Sequence, residues 1–278
     1  MYQPTSNPKM TDKQNCLLTQ LAYVNYNVDS LPGGIKFSNL KNYVDNPGDL
    51  DLISQLEYYG LGSCEVIAIE RSLTGAFAIV FRNSLSNTVE LSFRGTENDS
   101  VREFIIDCIT NLSEVFLSTS PQALWAQAVY SKYRPTVIYG HSLGANLAEH
   151  VFLQNHVDIY KVFVINHFPI DGKTIDSAGQ LAFNSYKFQC CVIVGDFISP
   201  LRSAISPVTY VKYSGSGSPH SICGASWNSD GSFVTVSELE ALKKNMVVKV
   251  LRQVTDFYNK NAVPRYNLAV NAIKKLIQ

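Results

Sequence analysis

Gly140-His141-Ser142-Leu143-Gly144 carries the side chain of this sequence best suited to act as a nucleophile. The β-branched run Thr136 to Tyr139 precedes it and a helix-forming Leu/Ala/Glu stretch follows, so the local order is strand, sharp turn, helix. A serine at the apex of such a turn is strained in its backbone, with its hydroxyl lifted clear of the sheet. Glycines two before and two after are needed where strand and helix leave no room for a side chain. The turn also aims the Leu143 N–H at the head of the new helix, where donors lack partners and the dipole favours negative charge. One pentapeptide thus supplies a nucleophile and half of an anion site, the equipment of acyl transfer through a covalent intermediate.

Such a serine needs a base and an acid to orient that base. In an open α/β sheet both belong on loops beyond the carboxyl ends of later strands. Of the five histidines, His141 lies inside the turn, His150 and His156 flank the following helix, and His167 ends the next strand. Only His220 comes later, in the flexible run Gly215-Ser216-Gly217-Ser218-Pro219-His220. For the acid, Asp196 directly follows an apolar strand at 190–194, and Asp171, one strand earlier, is its rival. His150, His156 and His167 read as structural residues. They lack the close spacing with other ligands of a metal site, so neither metal nor organic cofactor is expected.

The elements that must hold these groups follow from periodicity. Thr11 and Gln14 have the spacing of a capping box ahead of Leu17, Leu18, Leu21 and Ala22 at helical spacing. A second helix is expected from Leu50 to Tyr59, stopped by Gly60 and Gly62. Three apolar runs, Cys64 to Ile69, Ala76 to Phe81 and Thr88 to Phe93, are parted by short polar turns and read as adjacent strands. Val101 to Leu112 and Pro121 to Tyr133 are expected to be helical. Strand and helix then alternate: Thr136 to Tyr139, Leu143 to Gln154, Lys161 to Asn166, a weaker helix near Ser177 to Phe183, and Cys190 to Val194. That alternation predicts an α/β fold, a mostly parallel central sheet with helices on both faces. Ser237-Glu238-Leu239-Glu240 opens a helical C-terminal tail over 237–278.

Composition narrows the setting. A chain of 278 residues that is 46% hydrophobic can bury a sizeable core, and one domain over 1–278 is expected. With 23 acidic and 23 basic residues, nothing global points to nucleic acid. The first ten residues lack the apolar core of a secretory signal and no run reaches the length of a membrane span. A cytoplasmic protein is expected, with export by a route lacking a cleavable signal as the alternative. The six cysteines show no C-x-x-C pair and read as reduced packing residues, with Cys190 and Cys191 pointing to opposite faces of their strand.

Leu91-Ser92-Phe93-Arg94-Gly95-Thr96, a charged stretch closing at Asp107, and Gly140-His141-Ser142-Leu143-Gly144 together resemble the class 3 lipases and related lipase-like α/β-hydrolases. Gly195-Asp196-Phe197-Ile198 is similar to their acid-bearing segment, and His220-Ser221-Ile222 sits where they place the base. The resemblance implies a serine esterase acting on lipids, with Ser142, Asp196 and His220 as triad. It also implies Thr96 as the second oxyanion residue beside Leu143. A backbone donor fixed at that place stabilises the developing negative charge by about 3 kcal/mol. The chain order of serine, acid and histidine fits such a hydrolase. His141, Phe104 and Phe116 are expected substrate contacts. The stretch 97–134 is longer than a crossover helix requires and is expected to include a lid, with Phe104, Ile105, Val115, Phe116 and Leu117 apolar enough to meet an acyl chain or a lipid interface. Among lipid esters, phospholipase A or lysophospholipase chemistry stands ahead of triglyceride hydrolysis because Glu97 to Glu103 is polar. An esterase of small soluble esters and a catalytically silent hydrolase fold that only binds remain the alternatives.

Overall fold

The computed structural model describes residues 10–28, 31–95, 121–168, 187–196, 199 and 207–244. Within them, eight strands lie side by side in chain order: β1 (Ile35–Lys36), β2 (Glu65–Arg71), β3 (Phe77–Asn83), β4 (Thr88–Phe93), β5 (Val137–His141), β6 (Lys161–Ile165), β7 (Phe188–Ile193) and β8 (Val208–Val211). The β1–β2, β2–β3 and β3–β4 pairs are antiparallel and the four pairs from β4 to β8 are parallel. The carboxyl ends of β4 to β8 therefore share one edge of the sheet. The described helices are α1 (Asp12–Gln20), α2 (Pro47–Tyr58), α3 (Pro121–Tyr133), α4 (Leu143–Asn155) and α5 (Glu238–Lys244).

Successive side chains on a strand point to opposite faces, and the strands here are apolar on both. Phe77, Ile79 and Phe81 of β3, Tyr139 of β5, Phe163 and Ile165 of β6, and Cys191 and Ile193 of β7 fill one core, together with Leu17, Leu18 and Leu21 from the first helical segment and Ile53 and Leu56 of α2. Ala78, Val80, Ile138, Val162, Val164 and Cys190 fill the other, under Ala126, Val129 and Tyr130 of α3 and Ala148, Val151 and Phe152 of α4. Helices thus cover both faces. Cys190 and Cys191 belong to different cores, and both are free thiols.

Local chemistry sets the helix ends. The capping box at Thr11 is present in both directions: Gln14 N donates to Thr11 Oγ1 at 3.2 Å, and Thr11 N donates to Gln14 Oε1 at 2.8 Å. The second helix begins earlier than its apolar residues suggest. Asn46 caps it through a 2.8 Å bond from Gly48 N, and Pro47 occupies the first turn, where its missing N–H is no loss. Two strands escaped the apolar pattern: β1 has two residues and β8 is half-buried, so neither gives a continuous apolar run. In the stretch 97–134, residues 121–133 are α3, whose buried Ala126, Val129 and Tyr130 fix it to the core. The expected helices at 101–112 and 177–183, and the tail beyond Lys244, lie outside the described residues.

Where β4, β5 and α4 meet, backbones touch. A Cβ on Gly144 would lie 2.3 Å from the Phe93 carbonyl oxygen, and one on Gly140 would lie 2.5 Å from the Gly144 carbonyl oxygen. By contrast, a Cβ on Gly33 would meet only Ile67 O at 3.7 Å, an ordinary contact. Gly144→Ala should therefore force β4 and α4 apart and cost about 3 kcal/mol of stability, whereas Gly33→Ala should stay within about 0.5 kcal/mol. Urea denaturation of the two variants measures this. Equal midpoints would show that the contact gives way without cost.

Candidate active site

Ser142 stands between the last residue of β5 and the first of α4, with φ 56° and ψ −126°. A non-glycine residue in this region carries roughly 1–3 kcal/mol of strain, which persists only when the surroundings over-determine it. Here they do. Ser142 N donates to Ile165 O at 3.4 Å, and the Ser142 carbonyl accepts from Ala145 N at 3.1 Å and from Phe168 N at 3.0 Å. Leu143 opens the helix, so its N–H belongs to the first turn, which has no carbonyl partner within the helix.

The other two groups come from the same sheet edge. Asp196 follows β7, its N–H bonded to Ile193 O at 2.9 Å, and His220 ends a loop after β8. That loop is closed at its base by the Tyr213–Ala225 bridge and by Ser214 N donating to Gly224 O at 2.8 Å. Gly195, at φ 103°, lets the Asp196 loop pass Pro219, so the two loops touch. His220 Nδ1 lies 2.7 Å from Asp196 Oδ1, and His220 Nε2 lies 2.9 Å from Ser142 Oγ. All three residues are buried.

The protonation pattern follows from these partners. Burial by itself would raise the Asp196 pKa, but the charge and hydrogen bond of His220 and two donations from Ser199 outweigh it and hold the carboxyl below its ordinary value. Ser199 donates through its N–H at 3.0 Å and through its hydroxyl, both to Oδ2. A carboxylate only accepts, so Nδ1 of His220 carries the proton, and Nε2 is left to accept from the Ser142 hydroxyl.

A second polar chain fixes His220 from behind. His141 Nε2 lies 2.7 Å from the His220 carbonyl, and His141 Nδ1 lies 2.7 Å from the Tyr23 hydroxyl. Burial and the neighbouring His220 drive the His141 pKa down to about 3, so its ring is neutral. A carbonyl can only accept, which assigns the ring proton to Nε2 and makes Nδ1 the acceptor of the Tyr23 O–H. The Tyr23 oxygen in turn accepts Gly95 N–H at 2.9 Å. The His220 carbonyl also accepts Asn166 Nδ2 at 2.8 Å, and Asn166 Oδ1 accepts Ile193 N at 2.8 Å.

The structure thus brings Ser142, Asp196 and His220 into one hydrogen-bonded line, with Leu143 at its helix head. His141 stands beside them with both ring nitrogens engaged inside the protein, which leaves neither for a substrate. Thr96, Phe104, Phe116 and the rival acid Asp171 lie outside the described residues. Tyr23, Asn166 and Ser199 were not singled out from the sequence. The Ser199 N–H contact was findable in part, since an aspartate after a strand can cap the turn that follows by accepting the N–H three residues on. Tyr23 lies 118 residues from His141 and has no local signature. Among the described residues no three His, Cys, Asp or Glu side chains are gathered as metal ligands, and no helix is long and apolar enough to cross a membrane.

No protein-family model matches the chain, and comparison with curated proteins finds no match. Among solved structures, the crystal structure of the Lip2 lipase from Yarrowia lipolytica is similar, with a TM-score of 0.44 and 13% identity over 72% of this chain and 77% of that one. The chain's own sheet, mostly parallel with helices on both faces and a serine on the strand-to-helix elbow of β5, is of the α/β-hydrolase kind.

The depressed His141 pKa makes a pH prediction. Unfolded, the ring titrates near about 6.5; folded, it titrates at about 3. Between those values the unfolded chain binds the extra proton, so this contribution to stability is complete above the upper value. It is lost as pH falls, at up to about 1.4 kcal/mol per unit. Asp196, held below its ordinary value, adds to the loss below about pH 4. In His141→Gln the decline of the urea midpoint from pH 6.5 to 4 should be shallower than in the wild type. Identical slopes would mean that His141 is not held neutral.

Proposed function

We propose that this chain is a serine hydrolase of carboxylic esters, acting on lipid esters through an acyl-Ser142 intermediate. The observation that carries the reading is the buried line from Asp196 through His220 to Ser142, at 2.7 and 2.9 Å, ending on a strained serine. In this mechanism His220 Nε2 takes the hydroxyl proton as Ser142 Oγ attacks the ester carbonyl carbon. Asp196 stabilises the resulting imidazolium and keeps Nδ1 protonated. The negative charge that develops on the carbonyl oxygen meets the Leu143 N–H at the helix head, with the Thr96 N–H as second donor. His220 then returns the proton to the departing alcohol. Water, deprotonated by the same histidine, releases the acid and restores the serine.

Lipid esters are favoured by the apolar side chains Phe104, Ile105, Val115, Phe116 and Leu117 that the chain inserts between Gly95 and α3. The polar run Glu97 to Glu103 inclines the reading towards phospholipase A or lysophospholipase activity, with transient contact at a lipid interface. An interface that binds an open form better than a closed one would shift the population towards activity.

A fluorophosphonate probe should label the wild type at Ser142, and Ser142→Ala should lose both label and hydrolysis while keeping its thermal midpoint or gaining slightly from a relaxed elbow. Asp196→Asn should lower turnover by about 10⁴, because the amide favours the wrong imidazole tautomer. An unlabelled wild type that still binds lipid vesicles would leave the silent binding module as the better account. For a medium-chain ester, activity should rise steeply as substrate passes from monomers to micelles. A smooth hyperbola across that boundary would point instead to small soluble esters.

A further inference from the structure

Three consecutive residues after β6 each dock onto a different part of the site. Asn166 supports the base loop, donating through Nδ2 to the carbonyls of Pro219 at 3.0 Å and His220 at 2.8 Å. Phe168 donates its N–H to the Ser142 carbonyl at 3.0 Å. Between them, His167 places Nδ1 3.0 Å from Glu149 Oε1 on α4, the helix that Ser142 begins. Both residues are buried, at 1% and 0% exposure. The turn therefore ties base loop, nucleophile and nucleophile helix to one another. Asn166 sits at φ 48°, in the left-handed region that asparagine adopts more readily than most residues, and its side-chain bonds hold the turn there.

Neither Glu149 nor His167 takes part in the proton transfers derived above. A carboxyl and an imidazole are poor choices for filling a core, since an apolar pair of like volume is often as stable or more so. What an apolar pair lacks is direction. The proton between Nδ1 and Oε1 fixes the His167 ring against α4 whichever partner owns it. The titratable groups that face His167 are Glu149 from α4 and Cys190 from β7, and the one that faces Glu149 is His167. Burial opposes charge on His167, but Cys190 and Glu149 beside it carry its pKa well above the usual histidine value. Burial raises Glu149, with His167 opposing.

We infer that the Glu149–His167 pair positions the triad: it clamps the turn after β6 to the nucleophile helix, and through Asn166 and Phe168 sets the His220 loop and the Ser142 backbone in register. Its catalytic consequence rests on the hydrolase reading, whereas the clamp itself does not.

The test uses the full chain, with fluorophosphonate labelling of Ser142, steady-state hydrolysis of a short-chain nitrophenyl ester, and the NMR resonance of the proton between His220 and Asp196. The double variant Glu149→Met/His167→Leu removes the tie without leaving a buried charge unpaired, so it should fold with a near-wild-type melting temperature. Labelling rate and kcat should nevertheless fall at least about 10-fold with KM little changed, since a displacement of about 1 Å at a site can cost about 100-fold. The His220–Asp196 proton resonance should shift or broaden. His167→Asn keeps an amide donor near the place of Nδ1 and should restore most of the rate and the resonance.

A double variant that is slower to label but no slower than His167→Asn would overturn the clamp. So would rates within two-fold of wild type and an unmoved resonance, whatever the melting temperature. A wild type that neither labels nor hydrolyses would sink the hydrolase reading alone, and the resonance comparison would still decide on the clamp.

Discussion

The site depends on the contact between the end of β4 and the start of α4. Phe93 O and Gly144 leave no space for a Cβ, and the Arg94-Gly95 segment is pressed against His141 and Ser142 so closely that a Cβ on Gly95 would lie 2.8 Å from the His141 carbonyl. That closeness keeps Ser142 in its unfavourable conformation, because relaxing φ would drive the helix into the neighbouring strand. Packing of backbone on backbone thus converts sheet stability into a fixed position for one hydroxyl.

Around that point, polar chains carry position inward from distant parts of the sequence. The run from Gly95 N–H through Tyr23 and the neutral His141 to the His220 carbonyl has one proton order, since each end admits only one role. Asn166 reaches the same carbonyl from the other side. His220 is consequently held by its backbone as well as by Asp196. A side chain oriented only by its acid would still be free to travel with its loop, and this loop is glycine-rich.

The fold was legible because β3, β5, β6 and β7 bury both faces and so read as uninterrupted apolar runs, and because Thr11–Gln14 and Gly140–Gly144 are local patterns with local causes. β1 and β8 were not legible. Each gains its place by pairing with a neighbour instead of by its own hydrophobicity. The same division runs through the site. Ser142, Asp196 and His220 could be singled out by residue type and strand order, while Tyr23 and Asn166 could not, since an ordinary tyrosine and asparagine become supports only when folding brings them to His141 and His220. Glu149 and His167 carry no mutual spacing that marks them as a pair.

The sequential strand order has a consequence for synthesis. Each strand pairs with the one made just before it, so the sheet can extend along one edge as the chain emerges, without threading a late strand between earlier ones. Ser142 arrives with β5, Asp196 after β7 and His220 after β8. During translation the elbow is therefore made before His220 has emerged, and the hydrogen bond between His220 and the Ser142 hydroxyl forms only once β8 is in place.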